Sequence, residues 1–252
     1  MHLDGVAVLV TGAASGLGAA TAEHLAARGA AVYGLDLERS VAEAATLPGV
    51  QLVPADVTDE AQVRNAVSQI RDSDQELRLA VNCAGIAPSA RILSRGGPHD
   101  LGLFHAVLKV NLLGTFNVLR LAAEAMSGLA PDGNGQRGVI VNTASIAAYE
   151  AQIGQIAYAA SKAGVVGMTV TAARDLAQHG IRVMTIAPGI VDTPMMADFS
   201  EDVRTGLAAT VPFPRRLAQP VEFARLVAMI AEHDYLNGEV IRMDGALRMA
   251  SR

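Results

Sequence analysis

The chain has no tryptophan, five phenylalanines and four tyrosines, so aromatic side chains make up only 4% of its 252 residues. An aromatic set among polar groups therefore calls for a reason. Cysteine is nearly missing as well. Cys83 stands alone, which excludes an internal disulfide and a cysteine-only metal site; no metal is expected, and a reducing cytoplasm is the natural compartment. Positive charge is not in excess: 20 Lys and Arg face 25 Asp and Glu, for a net charge of −5. Without a global basic field, nucleic acid is not an expected partner. No uncharged apolar run approaches the ~18 to 20 residues that span a bilayer, so no membrane is expected either. The opening "MHLDGVAVLVTG" lacks the basic stretch and cleavage site of a signal peptide and is not an Arg- and Ser-rich transit peptide. The expectation is a cytoplasmic protein; an organellar one would carry its targeting segment outside this chain.

No linker-like stretch divides the sequence, so residues 1–252 are read as one domain. Half of it, 51%, is hydrophobic, enough for a generous core. Short runs rich in Val, Ile and Leu mark strands at Val6–Thr11, Ala31–Asp36, Gln51–Ala55, Leu79–Asn82, Gly138–Thr143, Arg182–Ala187 and Val240–Met243. Most are continuously apolar rather than alternating, as parallel strands buried on both faces require. Helical stretches lie between them near 16–28, 59–71, 100–128, 152–179 and 220–232. The alternation predicts a doubly wound α/β fold, with ligands at the carboxyl ends of a seven-stranded parallel sheet. The helices at 100–128 and 155–177 are apolar around most of their circumference. They are either deeply buried in the monomer or covered by another subunit, and the second reading suits outer helices better.

The first strand runs into "TGAASGLG". Gly12 permits a tight turn, and Gly16 and Gly18 let backbone amides approach a pyrophosphate at the start of an alanine-rich helix, with Ser15 and Leu17 in the same cradle. Asp36 ends the second strand 18 residues beyond Gly18, close to the ~20 expected of a carboxylate that receives ribose hydroxyls and repels a 2′-phosphate. It favours NAD over NADP; Arg39 nearby does not remove that repulsion, and the bland alternative is an exposed strand-end aspartate. Asp56 and Val57 follow the third strand, placed for an adenine ring, although Asp56 could instead cap the next helix. Asn82, Cys83, Ala84 and Gly85 follow the fourth, where small residues let a ribose lie against backbone.

Past the fifth strand comes Ser145, and 13 residues later Tyr158 in "YAASKAG", with Lys162 four beyond it. At that spacing the phenol and ammonium share one helix face. Oxidation of an alcohol needs a base, and a phenol of pKa about 10 is a poor one at neutral pH unless a nearby cation stabilises its anion. Lys162 is expected to do so and to hold the nicotinamide ribose. Ser145 is expected to hold the substrate oxygen.

The ordered set "TGAASGLG", "NCAG", "NTAS", "YAASK" and "APGIVDTP" resembles the short-chain dehydrogenase/reductase family over essentially the whole chain. The resemblance implies a Rossmann fold with helices on both faces and Tyr158 as acid/base, with Lys162 and Ser145 assisting. It also implies Asn111 as a helix-kinking residue that positions a relay water, although from its sequence context alone it is only a polar side chain in an apolar helix. Pro188, Val191 and Thr193 would meet the nicotinamide, and residues 194–216 would form a substrate lid. The family pattern often has a second asparagine where this chain has Cys83, which matters little if that residue contributes backbone. "GQRGVIVNTASIAAYEAQIGQ" and "LNGEVIRMDGALRM" are most similar to the branch that oxidises (S)-3-hydroxyacyl-CoA with NAD in fatty-acid or isoleucine breakdown. Members of that branch are also described as hydroxysteroid dehydrogenases. It implies a homotetramer and an acyl-CoA substrate.

Gln152 could reach a substrate carbonyl or simply be solvated. Arg91, Arg95, Arg215 and Arg216 could meet coenzyme A phosphates or be ordinary surface arginines. Competing readings are a hydroxysteroid or 3-oxoacyl carrier-protein reductase on the same scaffold, or an NAD-binding regulator without turnover. Asp36 argues against the NADPH-dependent reductases, and a pure sensor needs no Ser145, Tyr158, Lys162 and Asn111.

Overall fold

The computed structural model describes residues 1–196 and 199–251. The chain order is β1 (Ala7–Thr11), α1 (Gly16–Ala26), β2 (Ala31–Asp36), α2 (Glu38–Glu43), β3 (Val50–Pro54), α3 (Glu60–Arg71) and β4 (Leu77–Asn82). A two-residue-per-strand hairpin comes next, β5 (Leu93–Ser94) and β6 (Gly97–Pro98), then α4 (Leu101–Leu108), a π-helical segment Lys109–Gly114, and α5 (Thr115–Ser127). The rest is β7 (Gly138–Thr143), α6 (Ala147–Glu150), α7 (Ile156–Ala177), β8 (Ile181–Pro188), a 3₁₀ turn, α8 (Glu201–Ala209), α9 (Pro220–Glu232) and β9 (Val240–Met243).

Among the described residues, seven strands form one sheet in the order β3-β2-β1-β4-β7-β8-β9. Every pairing in it is parallel. This is the Rossmann-like doubly wound arrangement that the alternation of strands and helices predicts. The winding starts at β1, runs outward to β3, then returns to place β4 on the other side of β1. Loops that leave β1 and β4 diverge there and open a crevice at the strand ends. The four central strands β1, β4, β7 and β8 are buried at every position, which accounts for their largely apolar sequences.

Two cores flank the sheet. One packs α1 and α9 through Ala22, Leu25, Phe223, Val227 and Ile230. The other packs α3 and α5 through Val63, Ile70, Val118 and Leu121, and reaches Ala173 of α7. Removing a fully buried side chain such as Phe223 would cost about 3–5 kcal/mol.

Boundaries differ from expectation where local geometry overrides periodicity. The helix expected from 152 starts at Ile156, because Gly154 has a φ of +94° and a Cβ there would stand 2.5 Å from Ser89 Oγ. The expected helix 100–128 is interrupted by its π segment. Helices α2, α6 and α8 and the small hairpin had no apolar periodicity to announce them; α8 buries none of its residues. Asp59 caps α3 by accepting from the amides of Ala61 and Gln62, which leaves Asp56 free of that role.

Leu101–Ser127 and Ile156–Ala177 are long and apolar enough, by length and composition, to cross a membrane. A count of uncharged runs misses this, since Lys109, Arg120, Lys162 and Arg174 interrupt them. Both helices pack one side against the sheet, as core helices of a folded domain do. Their other side leaves Leu113, Phe116, Ile156 and Val170 exposed.

Candidate active site

The carboxyl ends of the strands surround one cavity of about 470 Å³, lined from Asp36 and Asp56 at one end to Ser145, Tyr158 and Met249 at the other. Its volume falls within the range of small-molecule sites. At the first end the wall is backbone. Gly12 closes β1 with a φ of +67°. Gly18, in the first turn of α1, lies so close beneath it that a Cβ would stand 2.0 Å from Gly12 O. Ser15 is extended and, among the described residues, gives α1 no side-chain cap, so the first amides of the helix are left for an anion. Thr11 Oγ1 accepts from the amides of Cys83 and Ala84, both at 3.1 Å, and so fixes the end of β4 over β1.

Asp36 is anchored rather than loose. Its Oδ2 accepts from Ala14 N at 3.0 Å and its Oδ1 from Leu37 N at 2.8 Å, which aims the carboxylate into the crevice beside the glycine turn. Asp56 accepts from Thr58 N at 2.8 Å and lines the cavity with Val57. Ser15, Leu17, Cys83, Ala84, Gly85, Pro188, Val191 and Thr193 line it too. Gly16 does not; a Cβ on it would meet Thr193 at 3.6 Å, so its role is to let that loop close.

At the other end the wall is side chains. Ser145 stands just beyond β7, and Tyr158 and Lys162 rise from α7. Lys162 is 4% exposed and donates from Nζ to Thr143 O at 2.7 Å. Its ammonium lies 5.7 Å from the centroid of the Tyr158 ring. Burial pulls Lys162 down to about 8. Burial also raises the Tyr158 phenol, and the Ser145 side chain opposes that rise. In the ligand-free chain burial therefore sets the direction of both shifts, the lysine downward and the phenol upward. Burial drives the Cys83 thiol up to about 11, so it stays protonated.

Asn111 lies behind the cavity, not in its lining. The π segment turns its amide toward the loop after β4, where Oδ1 accepts from Ile86 N at 2.8 Å and Nδ2 donates to Ile86 O at 2.9 Å and Ser161 Oγ at 3.0 Å. A Cβ on Gly85 would touch both Asn111 Oδ1, at 3.2 Å, and Lys162 Nζ, at 3.7 Å. The asparagine therefore braces the spot beside the lysine.

Gln152 is not brought into the cavity; Gln155 is, and its Oε1 accepts from Gln152 N at 3.0 Å. Arg91, Arg95, Arg215 and Arg216 are also outside the lining. Arg216 is engaged by both oxygens of Glu222, at 2.7 and 2.9 Å. Sequence reasoning missed Ile190 and Met249. The signal for Met249 was topological: it lies beyond β9, and the chain that leaves a parallel strand emerges at the ligand edge. Ala197 and Asp198, within the expected lid, lie outside the described residues.

The family model for short chain dehydrogenases matches residues 6–204. The chain belongs to the short-chain dehydrogenase family. The 3-hydroxyacyl-CoA dehydrogenase type-2 of Homo sapiens is 53% identical to this dehydrogenase across 98% of this chain and 97% of the human protein. That of Drosophila melanogaster is 54% identical across 96% of each. The crystal structure of 3-hydroxyacyl-CoA dehydrogenase type-2 from Mycobacterium avium superposes with a TM-score of 0.91, at 43% identity over 98% of both chains. A short-chain dehydrogenase uses a nicotinamide cofactor. The residues present fit one: a glycine cradle with no space for a Cβ, uncapped helix amides, a fixed carboxylate at the end of β2, and a phenol–ammonium pair at the far end.

Proposed function

We propose that this short-chain dehydrogenase interconverts (S)-3-hydroxyacyl-CoA and 3-ketoacyl-CoA with NAD, in fatty-acid or branched-chain amino-acid breakdown. The observation that carries the reading is identity above 50%, over nearly the full length, to proteins named for 3-hydroxyacyl-CoA dehydrogenase activity. Ser145, Tyr158 and Lys162 gathered at one cavity support it. Asp36 supports NAD: a carboxylate held by two backbone amides cannot swing away from a 2′-phosphate.

A nicotinamide cofactor held between the glycine turn and the Ser145–Tyr158–Lys162 end would supply the acceptor and donor of hydride for the carbinol carbon. Tyr158 takes the hydroxyl proton in oxidation and gives it back in reduction. Ser145 donates to the substrate oxygen and orients it toward the phenol. Making the phenol a base near neutral pH means lowering it by roughly three units, about 4 kcal/mol. The Lys162 ammonium, 5.7 Å from the centroid of the ring, favours the phenolate by its charge. At pH 7 Lys162, at about 8, is still mostly charged and can serve. Asn111 holds the loop at Ile86 and Ser161 in place, and with them the space in which a relay water would serve Lys162.

Residues 199–216, with the fully unburied α8, act as a cover over the substrate end. The protein is a homotetramer, with Leu113, Phe116, Ile156 and Val170 covered by a second copy. The deciding experiment is a substrate panel: acetoacetyl-CoA with NADH and NADPH, a 2-methyl-branched 3-hydroxyacyl-CoA with NAD, and a 17β-hydroxysteroid. Fastest turnover of the acyl-CoA with NADH is expected. Faster turnover with NADPH would overturn the role given to Asp36, and inertness toward every acyl-CoA would overturn the substrate.

A further inference from the structure

Beyond β9 the chain folds back over the reactive end of the cavity. Gly245 and Ala246 both have positive φ, 60° and 66°, and Ala246 is the one non-glycine residue in that conformation among the described residues. A non-glycine residue there is strained. Asp244 Oδ1 holds the turn by accepting from Ala246 N at 3.0 Å. The turn delivers Leu247 into a small apolar cluster with Ile146 and Val211, joined by Ile190 and Met249. Ile146 is the residue after Ser145, and Met249, Ile146 and Ile190 line the cavity.

One guanidinium ties this arrangement together. Arg242, on β9, donates from Nε to Asp244 Oδ2 at 2.7 Å and from a terminal nitrogen to Leu247 O at 3.2 Å. Its terminal nitrogens also bond both oxygens of Glu150, the last residue of α6. It lies 5.2 Å from the centroid of the Tyr149 ring. Arg248 reinforces the tie to Asp244 at 3.1 Å, and Ser251 O accepts from Ile153 N at 3.1 Å. Strand end, returning tail and the segment beyond Ser145 thus meet at Arg242. Two carboxylates saturate its charge, so it is not free to bind a coenzyme phosphate. A pair that is about three-quarters buried on both sides also holds more firmly than an exposed one.

We propose that Arg242 is a positioning residue that clamps the tail 244–251 onto the Ser145 segment, and that the Met249 it holds in place is a specificity-determining wall for the substrate's acyl group. The acyl assignment rests on the function proposed above; the clamp does not.

The test uses the full chain and the variants Arg242→Met, Arg242→Lys and Met249→Ala. Hydrogen exchange is measured by mass spectrometry, with NADH affinity and the kinetics of acetoacetyl-CoA and a long-chain 3-ketoacyl-CoA. In Arg242→Met, amides in 145–153 and 244–251 should exchange about tenfold faster while those of β1 and α1 stay as they were. Its KM for acyl-CoA should rise about tenfold with kcat changed less than about threefold, and Arg242→Lys should recover part of both effects. Met249→Ala should leave exchange unchanged and shift the long-to-short ratio of kcat/KM about tenfold toward the long chain. Unaltered exchange in both segments overturns the clamp, and so does a fall in kcat at constant KM. An unaltered chain-length ratio in Met249→Ala overturns the wall. Should the unmodified protein be inert toward acyl-CoA, the proposed substrate and the acyl wall fall together, and the exchange result still decides the clamp.

Discussion

The two ends of the cavity are built on opposite rules. Around Gly12 and Gly18 the surface is made of main chain, shaped by side chains that are missing; a single added methyl would stand 2.0 Å from a carbonyl oxygen. Around Ser145, Tyr158 and Lys162 the surface is made of side chains, two of which titrate, desolvated enough to bring a lysine to about 8. One end binds by shape, backbone dipoles and the fixed Asp36 carboxylate. The other works by proton placement. The first should therefore fail when atoms are added, and the second when they are removed.

The sharpest way to break this contrast is Tyr158→Phe. Deleting one oxygen should reduce kcat by about 10³-fold or more while NADH affinity, read by fluorescence titration, stays within about twofold. Retained turnover would remove Tyr158 from the chemistry. Lys162→Met should cost about 10²-fold in kcat. It should also move the alkaline rise of 3-hydroxyacyl-CoA oxidation upward, because burial raises the phenol and no cation is then left beside it. A profile that keeps its midpoint would separate the lysine from the proton step. At the other end, Gly18→Ala should act through bulk. Overpacking costs of about 1–3 kcal/mol are expected, with a Tm lower by roughly 3–10 °C and NADH affinity weakened at every pH. Asp36→Ala should improve NADPH use relative to NADH by about tenfold, measured as a ratio of kcat/KM values.

The smallest effect concerns stability. Lys162 has a folded-state value of about 8, below the ordinary 10.5, so between these values the unfolded chain binds more protons and stability rises with pH. Cys83 works in the opposite direction, from 9.0 to about 11, where the folded protein keeps its proton and stability falls as pH rises. Between about pH 8 and 9 the lysine contribution is the larger of the two. There the ligand-free protein should gain about 1 kcal/mol, or roughly 2–4 °C in Tm. In Lys162→Met the melting temperature should no longer rise across that interval; an undiminished rise would place its source elsewhere.

Legibility in the sequence divides along the same line. The seven strands, the glycine turn and the phenol–ammonium spacing were legible because each is local: a run of β-branched residues, a tight turn, two side chains one helical turn apart. The downward shift of Lys162 was not, since burial of the lysine depends on Thr143 and Gly85, which only the packed sheet brings beside it. Gln152 and Gln155 are indistinguishable by composition; the positive φ of Gly154 starts the helix late, and Gln155 is the one that reaches the cavity. Met249 belongs to the site only because β9 ends at its rim.

The π segment at Lys109–Gly114 has a consequence for the length of the chain. A π turn accommodates an extra residue without breaking the helix, and each residue of an α-helix turns the next by about 100°. Deleting any one residue there would allow a smoother helix, yet it would swing either the Asn111 amide off the Ile86 loop or α5 off the sheet. The site therefore depends on a count of residues as well as on their identity. A single-residue deletion in this segment should be less tolerated than any substitution on its exposed side, because no alternative side chain can restore the lost phase.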